Sequence, residues 1–442
     1  MADGARSHDP AVQAQLDRLM LRSPGTDVLG LSRIKALLAR LGDPQHALPP
    51  VFHVAGTNGK GSTCAFVRAG LEASGYHVHA YTSPHLIRFN ERIRIAGALI
   101  EDAALAALLA EVLDAGKGIE ASFFEVTTAA AFLAFARNPV DACVIEVGLG
   151  GRLDATNVIE RPAVCGIAQL GVDHEAFLGS DPIGIAREKA GIARDGVPLV
   201  TMDYGEAINV AVSAVARHAG APVLREGRDW QWHSDDAART IRLVDASGEI
   251  ALPYPRLAGA HQLQNLALAS AMLRAQRALA IPAPVLAAMP LDASWPARMQ
   301  CLESGTVRAL LPPSAALWLD GGHNAAAGEA VAQALADVAD GRPIEIVIGM
   351  LANKDAAGLL APLAPLAAGL TAVPVPEHEH HAPAVLADAA KRLGTPRTGV
   401  AANVTDALSA IARYGAPDSV VLICGSLYLA GAVLEANGTL PD

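Results

Sequence analysis

The sequence predicts an α/β protein: a P-loop domain with a doubly wound, mostly parallel sheet, followed by a smaller Rossmann-like α/β domain. Three observations predict it. Short apolar runs bounded by glycine or polar residues alternate with longer alanine-rich stretches of helical spacing, the rhythm of βαβ units. A strand pattern at Val51–Ala55 runs into a glycine-rich turn and then a helix. The 442 residues exceed one ordinary core, and the alternation restarts after an interruption near residue 290.

Val51–Ala55, Ala142–Val147, Val164–Leu170 and Val197–Met202 are nearly continuous apolar runs, as expected of parallel strands covered on both faces. Between them Ser62–Ser74, Glu101–Leu113, Val126–Ala136 and Ile183–Ala193 carry helical periodicity. Around Arg228–Leu252 the short pieces Asp229–His233 and Thr240–Val244 predict a hairpin, and helices follow at Gln262–Leu279 and Pro284–Met289. Met289–Pro296 interrupts regular structure, which places a domain boundary between 1–290 and 291–442. Beyond it Leu317–Leu319, Ile344–Ile348, Leu370–Val375 and Val420–Ile423 read as strands. Ala325–Val338, Ala382–Leu393 and Val404–Arg413 read as helices.

Composition narrows the function. Hydrophobic residues make up 52% of the chain but aromatics only 4%, which favours tight helix-on-sheet layers packed with alanine. A net charge of −11 without a basic run argues against a nucleic-acid partner held by its phosphates. Five scattered cysteines without a CxxC read as small buried hydrophobes in a reducing compartment. The polar start Met1–Pro10 is not a signal or transit peptide. The uncharged stretch Ala356–Pro376 is long enough for a membrane span, but its prolines and glycines predict a helix followed by a strand. A soluble, cytoplasmic protein without a membrane partner is expected, and a monomer.

The sharpest feature is Val51-Phe-His-Val-Ala-Gly56-Thr57-Asn58-Gly59-Lys60-Gly61-Ser62-Thr63. Glycines at a strand-to-helix turn let backbone N–H groups approach phosphate oxygens, and the helix N-terminus adds a positive dipole. Lys60 supplies a charge for the terminal phosphates of ATP, and the hydroxyl of Ser62 or Thr63 can hold Mg²⁺. The hydroxyl stands one place later than in the strict P-loop pattern. Glu146 follows the apolar run Ala142–Ile145, and ligands of open α/β sheets bind at the carboxyl ends of strands. A carboxylate there is a natural Mg²⁺ ligand.

This loop resembles that of the folylpolyglutamate synthase / dihydrofolate synthase family, relatives of the Mur peptide ligases. Further segments resemble it in the same order: Tyr81-Thr-Ser83-Pro84-His85 with Glu91-Arg92-Ile93, Phe124–Thr128, Glu146–Asn157, Asp173-His174, Glu188-Lys189-Ala-Gly-Ile192, His261-Gln262 with Asn265, Pro296-Ala-Arg298, Leu319–Asn324 and Gly425–Tyr428. They run from about residue 16 to about residue 431. Two small residues depart from the pattern: Gly322 stands where Ala is usual, and Ala297 where Gly is usual.

The resemblance implies ATP-dependent joining of L-glutamate to dihydropteroate or a reduced folate through an acyl phosphate. It implies two Mg²⁺ sites and admits a monovalent cation. His174 then binds the second Mg²⁺, a role that histidine chemistry alone does not suggest, because Mg²⁺ prefers oxygen. Lys189 becomes a carbamate by reaction with CO₂, turning a cation into an anion beside the metal. Asn265 contacts adenine, Arg298 the phosphates and Asp320 the ribose, with the C-terminal domain closing the nucleotide site. His323 and Ser426 are candidates for the incoming glutamate, although both positions also suit helix capping, and Asn324 is the expected N-cap of the next helix. The acceptor's pterin end falls to Ser83, Pro84, Arg92, Phe124 and Asp154, with Phe123 nearby. Lys60, Lys189 and His323 are the expected catalytic residues. The cluster His378-Glu-His-His381 reads as a solvated loop. A Mur-type ligase acting on another carboxylate is the alternative, against which only about fifty residues precede Val51, few for an additional domain.

Overall fold

The computed structural model describes residues 6–22 and 29–441, so the polar start Met1–Pro10 lies partly outside the described residues. The chain forms two compact units: Met1–Arg256 with Leu263–Ser294, and Leu257–Gln262 with Trp295–Pro441.

The first unit is built on eight strands: Val51–Ala55 (β1), Val78–Tyr81 (β2), Ile93–Ile95 (β3), Ala98–Leu99 (β4), Ala142–Glu146 (β5), Val164–Ile167 (β6), Leu199–Thr201 (β7) and Val223–Arg225 (β8). They form one sheet in the order β4-β3-β2-β5-β1-β6-β7-β8, parallel from β2 to β8 with β3 and β4 antiparallel at one edge. Every residue of β1 and β5 is buried, the signature of central strands covered on both faces. One apolar layer joins the helices Ser32–Arg40, Asp102–Ala115 and Phe123–Arg137 to the sheet; another joins Pro182–Ala190 and Glu206–His218. Each fully buried Leu or Phe there contributes about 1.5–3 kcal/mol, and all five cysteines are free. Four of them are buried as expected, whereas Cys301 is exposed.

Two boundaries differ from the sequence pattern in ways that bear on function. The helix after β1 starts at Lys60, with Gly59 as its N-cap, so Lys60 belongs to the first helical turn. The strand expected over Val164–Leu170 ends at Ile167, because the chain leaves the sheet to wrap the phosphate loop. The expected hairpin is a three-stranded antiparallel meander, Gln231–Asp235 (β9), Thr240–Asp245 (β10) and Gly248–Pro253 (β11).

The second unit carries Gln300–Cys301 (β12), Ala316–Leu319 (β13), Ile344–Ile348 (β14), Gly369–Ala372 (β15), Arg397–Val400 (β16) and Val420–Cys424 (β17). Their order is β12-β13-β17-β14-β15-β16, parallel except for β12. Ala356–Pro376 folds as a helix and a strand inside this unit, and no helix of the described residues is long and apolar enough to cross a membrane.

Candidate active site

β1 delivers the chain into Gly56–Gly59 between the carboxyl ends of β5 and β6. The N–H groups of Thr57 and Asn58 both donate to the Gln169 carbonyl, at 2.8 and 3.2 Å. The Thr57 hydroxyl donates to Gly171 O at 2.8 Å and accepts from Gly171 N–H at 3.1 Å. These two residues therefore clamp the segment after β6 to the loop, and their amides face protein. The first intrahelical bond reaches Thr63 N–H from Gly59 O, which leaves the Lys60, Gly61 and Ser62 amides as the unsatisfied N–H groups of a helix start. That is an anion cradle. Lys60 Nζ donates to the Thr57 carbonyl at 3.1 Å, holding the ammonium over it, and Asn265 packs its carboxamide against Gly59.

Glu146 closes β5, paired with Val54 across the sheet and 4% exposed. Its Oε2 accepts from Ser83 N–H at 3.1 Å, which fixes the carboxylate at the strand end and ties it to the segment after β2. Lys189 turns inward from the helix Pro182–Ala190, while its neighbour Glu188 faces out to Arg152 at 2.8 Å. Lys189 is 5% exposed and its Nζ donates to Gly56 O at 2.9 Å. Burial, and after it the nearby Lys60, brings this ammonium from the usual lysine range down to about 7, with Asp173 and Asp154 pulling the other way.

The turn Gly148–Asp154 holds this helix in place: Arg152 N–H donates to Glu188 O at 2.8 Å. A Cβ on Gly151 would meet Glu188 O at 2.6 Å and the Lys189 Cα at 2.9 Å, both backbone atoms that cannot swing away. Gly151→Ala is therefore expected to displace the Lys189 helix, cost about 1–3 kcal/mol of stability and lower turnover at least tenfold. Chemical denaturation and a steady-state assay on the same preparation check this.

The oxygen donors fit Mg²⁺, which takes one or two protein oxygens and completes its shell with phosphate and water. Ser62, 2% exposed in the first helical turn, and Glu146 stand on adjacent strand ends, β1 and β5. Among the described residues no three His, Cys, Asp or Glu side chains converge on one point, as suits a metal shared with a substrate. His174 is exposed, caps the short helix Glu175–Leu178 with φ +54°, and its N–H donates to the Asp173 carboxylate at 2.7 Å.

The residues expected at the acceptor's ring system occupy three different environments. Phe124 is half-buried, with its ring over Gly148 and 5.9 Å from the Tyr81 ring. Ser83 and Pro84, joined by a cis peptide bond, lie in the loop after β2, with Pro84 exposed. Arg92 is enclosed at 1% exposure: its Nε donates to His85 Nδ1 at 2.9 Å, and its guanidinium lies 5.5 Å from both the Phe89 and Phe123 rings. It braces the Ser83–Glu91 loop from behind. Asp154 is 3% exposed; its Oδ2 accepts from Leu149 N–H at 2.8 Å and its Oδ1 from Thr156 N–H at 2.9 Å. Burial raises its carboxyl above the usual range, against these hydrogen bonds.

In the second unit the loops after the neighbouring parallel strands β13 and β17 present the remaining candidates. Asp320, 2% exposed, accepts from Gly322 N–H at 2.7 Å and from Met299 N–H at 2.8 Å, so it anchors the segment bearing Arg298. Asn324 caps the helix Ala325–Ala339 as the sequence suggests, and Ser426 caps Leu427–Asn437, its Oγ accepting from Tyr428 N–H at 3.1 Å. His323 Nδ1 lies 2.9 Å from Gly321 O, so Nδ1 carries the proton and the lone pair is on Nε2. The residues His378–His381 are half-buried in part, because the His378 ring stacks on Tyr428 at 3.9 Å and His380 and His381 turn to separate backbone carbonyls. The expectation of a solvated loop is corrected there.

Arg298 is flanked by Ala297 at φ +55° and Met299 at φ +42°. The left-handed region costs a residue with a Cβ about 1–2 kcal/mol, part of which glycine returns through its freer unfolded chain. Ala297→Gly is expected to stabilise the protein by about 0.5–1 kcal/mol, read as a higher denaturant midpoint with an unchanged slope.

Sequence reasoning missed Gln169, whose backbone oxygen shapes the phosphate loop, and the His378–Tyr428 stack. No local pattern marks either, since each joins segments fifty or more residues apart.

With this geometry in place, similarity to known proteins can be weighed. The family model described as "Mur ligase, glutamate ligase domain" matches residues 298–427. The dihydrofolate synthase/folylpolyglutamate synthase of Escherichia coli (strain K12) is 34% identical over 410 residues, 92% of this chain and 91% of its own. The solved structure of E. coli FolC in complex with DHPP and ADP superposes with a TM-score of 0.87 at 32% identity, covering 96% of this chain and 97% of that one. A bifunctional folylpolyglutamate synthase/dihydrofolate synthase with Mn, AMPPNP and L-glutamate bound gives 0.84 at 30% identity, covering 97% and 99%. Identity of this extent over nearly the full length of both chains, on the same two-unit α/β fold, makes this chain a member of the dihydrofolate synthase/folylpolyglutamate synthase family.

Proposed function

We propose that the protein is an ATP-dependent amide ligase that joins the amino group of L-glutamate to the carboxylate of dihydropteroate, and to reduced folates already carrying glutamate. The observation that carries the reading is the convergence of the helix-start cradle at Lys60–Ser62, Glu146 and the buried Lys189 at the ends of β1 and β5. Similar chains hold ADP with DHPP, or AMPPNP with L-glutamate.

In the first step a carboxylate oxygen of the acceptor forms a bond to the γ-phosphorus of ATP as the β–γ bridge breaks and ADP leaves. Lys60 and the amides of residues 60–62 hold the phosphates in line. Mg²⁺, held by Ser62 and Glu146, offsets the charge on the transferring group, and His174 serves a second ion. In the second step the glutamate nitrogen attacks the acyl carbon, phosphate leaves and the amine loses its proton. The first domain, 1–290, supplies the nucleotide and acceptor residues, with Asn265 at the adenine. The second, 291–442, supplies Arg298 toward the phosphates, Asp320 toward the ribose, and His323 with Ser426 at the N-terminus of a helix, a natural seat for a carboxylate of glutamate.

Lys189 carries a carbamate in the active enzyme. A buried amine titrating near 7 is largely neutral at mildly alkaline pH, and only the neutral amine adds to CO₂, forming an N–C bond and losing a proton. A monovalent cation adds to the site, and the enzyme acts as a cytoplasmic monomer.

The test is ADP release with Mg²⁺, ATP and glutamate, comparing dihydropteroate with tetrahydrofolate. Turnover with both is expected. Turnover with neither would transfer the machinery to a different carboxylate acceptor.

A further inference from the structure

Behind the acceptor side lies a buried hydrogen-bond relay that the proposed mechanism does not use. His53 sits in the middle of β1, three residues before the phosphate loop, and is 1% exposed. Its Nε2 is 2.9 Å from Thr156 Oγ1, which is fully buried and in turn 2.5 Å from Asp154 Oδ1. The direction of this chain is determined. Thr156 has one hydroxyl proton and gives it to the Asp154 carboxylate, so its oxygen must accept from His53. His53 is therefore the Nε2–H tautomer. Burial, and after it Arg194, holds its ring neutral by lowering its pKa to about 3, so it donates without adding charge.

The chain ends on a carboxylate whose other oxygen holds Leu149 N–H, in the turn where the Phe124 ring lies over Gly148. Two donors on Oδ1, the Thr156 hydroxyl and amide, and the Leu149 amide on Oδ2 lock the plane of the carboxylate. They also favour its anionic form, in opposition to burial. A carboxylate so fixed is the complement of an aminopyrimidinone edge, which presents two parallel N–H donors.

We propose that His53 is a positioning residue for the acceptor: acting through Thr156, it orients Asp154 to accept the paired N–H groups of the acceptor's aminopyrimidinone ring. This rests on the reading that Asp154 faces the acceptor. β1 then serves both substrates, with His53 directed to the acceptor's ring and the loop that follows directed to ATP.

The test is steady-state kinetics of His53→Leu, Thr156→Val and the double variant, with His53→Gln as the conservative replacement that retains an N–H donor. Removing either relay member is expected to raise KM for dihydropteroate about tenfold. kcat and the KM values for ATP and glutamate should stay within about twofold. The double variant should be no worse than Thr156→Val alone, because the relay acts as one unit, and His53→Gln should recover most of the loss. Equal losses toward all three substrates, or an unchanged KM for dihydropteroate in both single variants, would overturn the proposal. Asp154→Asn separates the two levels. If it leaves KM for dihydropteroate unchanged, the placement of Asp154 at the acceptor fails and the relay proposal with it. If it raises KM while His53→Leu and Thr156→Val do not, only the relay proposal fails. Thermal unfolding of each variant guards against misfolding, and Thr156→Val, nearly isosteric, decides the case if His53→Leu does not fold.

Discussion

Glu146→Gln is expected to lower kcat about a thousand-fold, near the upper end of what removing one preorganised electrostatic group costs an enzyme. The side chain keeps its size, and an amide oxygen can still accept from Ser83 N–H, so the loop after β2 stays tied to β5. What is lost is the negative charge at the strand end beside the phosphate loop, and with it the anchoring of Mg²⁺ between Glu146 and Ser62. The Mg²⁺ concentration for half-maximal activity should rise with the loss of kcat, while the melting temperature changes little. Activity within tenfold of the parent at saturating Mg²⁺ would remove Glu146 from the metal site.

Lys189→Met should abolish measurable turnover and at the same time stabilise the fold. The side chain is buried, and its ammonium titrates near 7 in the folded chain against 10.5 for the unperturbed group. Between those values the unfolded chain binds the extra proton, so wild-type stability rises with pH across that window. Below about 7 the buried charge is present in full and its cost is greatest. The advantage of the methionine variant in denaturant midpoint is therefore expected to be largest at or below neutral pH and to shrink toward pH 10. A stability difference independent of pH would show that Lys189 is not desolvated. The carbamate is tested on the parent: ¹³C-bicarbonate should give a carbamate resonance absent from Lys189→Met, and activity should fall in CO₂-free buffer.

Much of the fold was legible because buried parallel strands are written as uninterrupted apolar runs: β1, β5 and β14 stand within a residue of where those runs predict them. Strands without that signature were not. β2 is four residues with a histidine in the middle, and β16 is a polar edge strand, mostly exposed. The helix Glu206–His218 was likewise left unassigned. The phosphate loop was legible as a motif, but not the inward turn of the Thr57 and Asn58 amides, which depends on a carbonyl more than a hundred residues away. The burial of Lys189 could be suggested only by resemblance. Local spacing cannot tell which of Glu188 and Lys189 faces in, and the decision falls to Arg152, whose pairing draws Glu188 outward. The relay from His53 is invisible for the same reason, since its members meet only across the sheet.

The central claim is an acyl phosphate formed on the acceptor and opened by glutamate. Dihydropteroate labelled with ¹⁸O in its carboxylate tests it most directly, with the released phosphate analysed by mass spectrometry. One labelled oxygen should appear in inorganic phosphate for each amide formed, and none in ADP. Label in AMP, or unlabelled phosphate accompanying amide formation, would contradict the account.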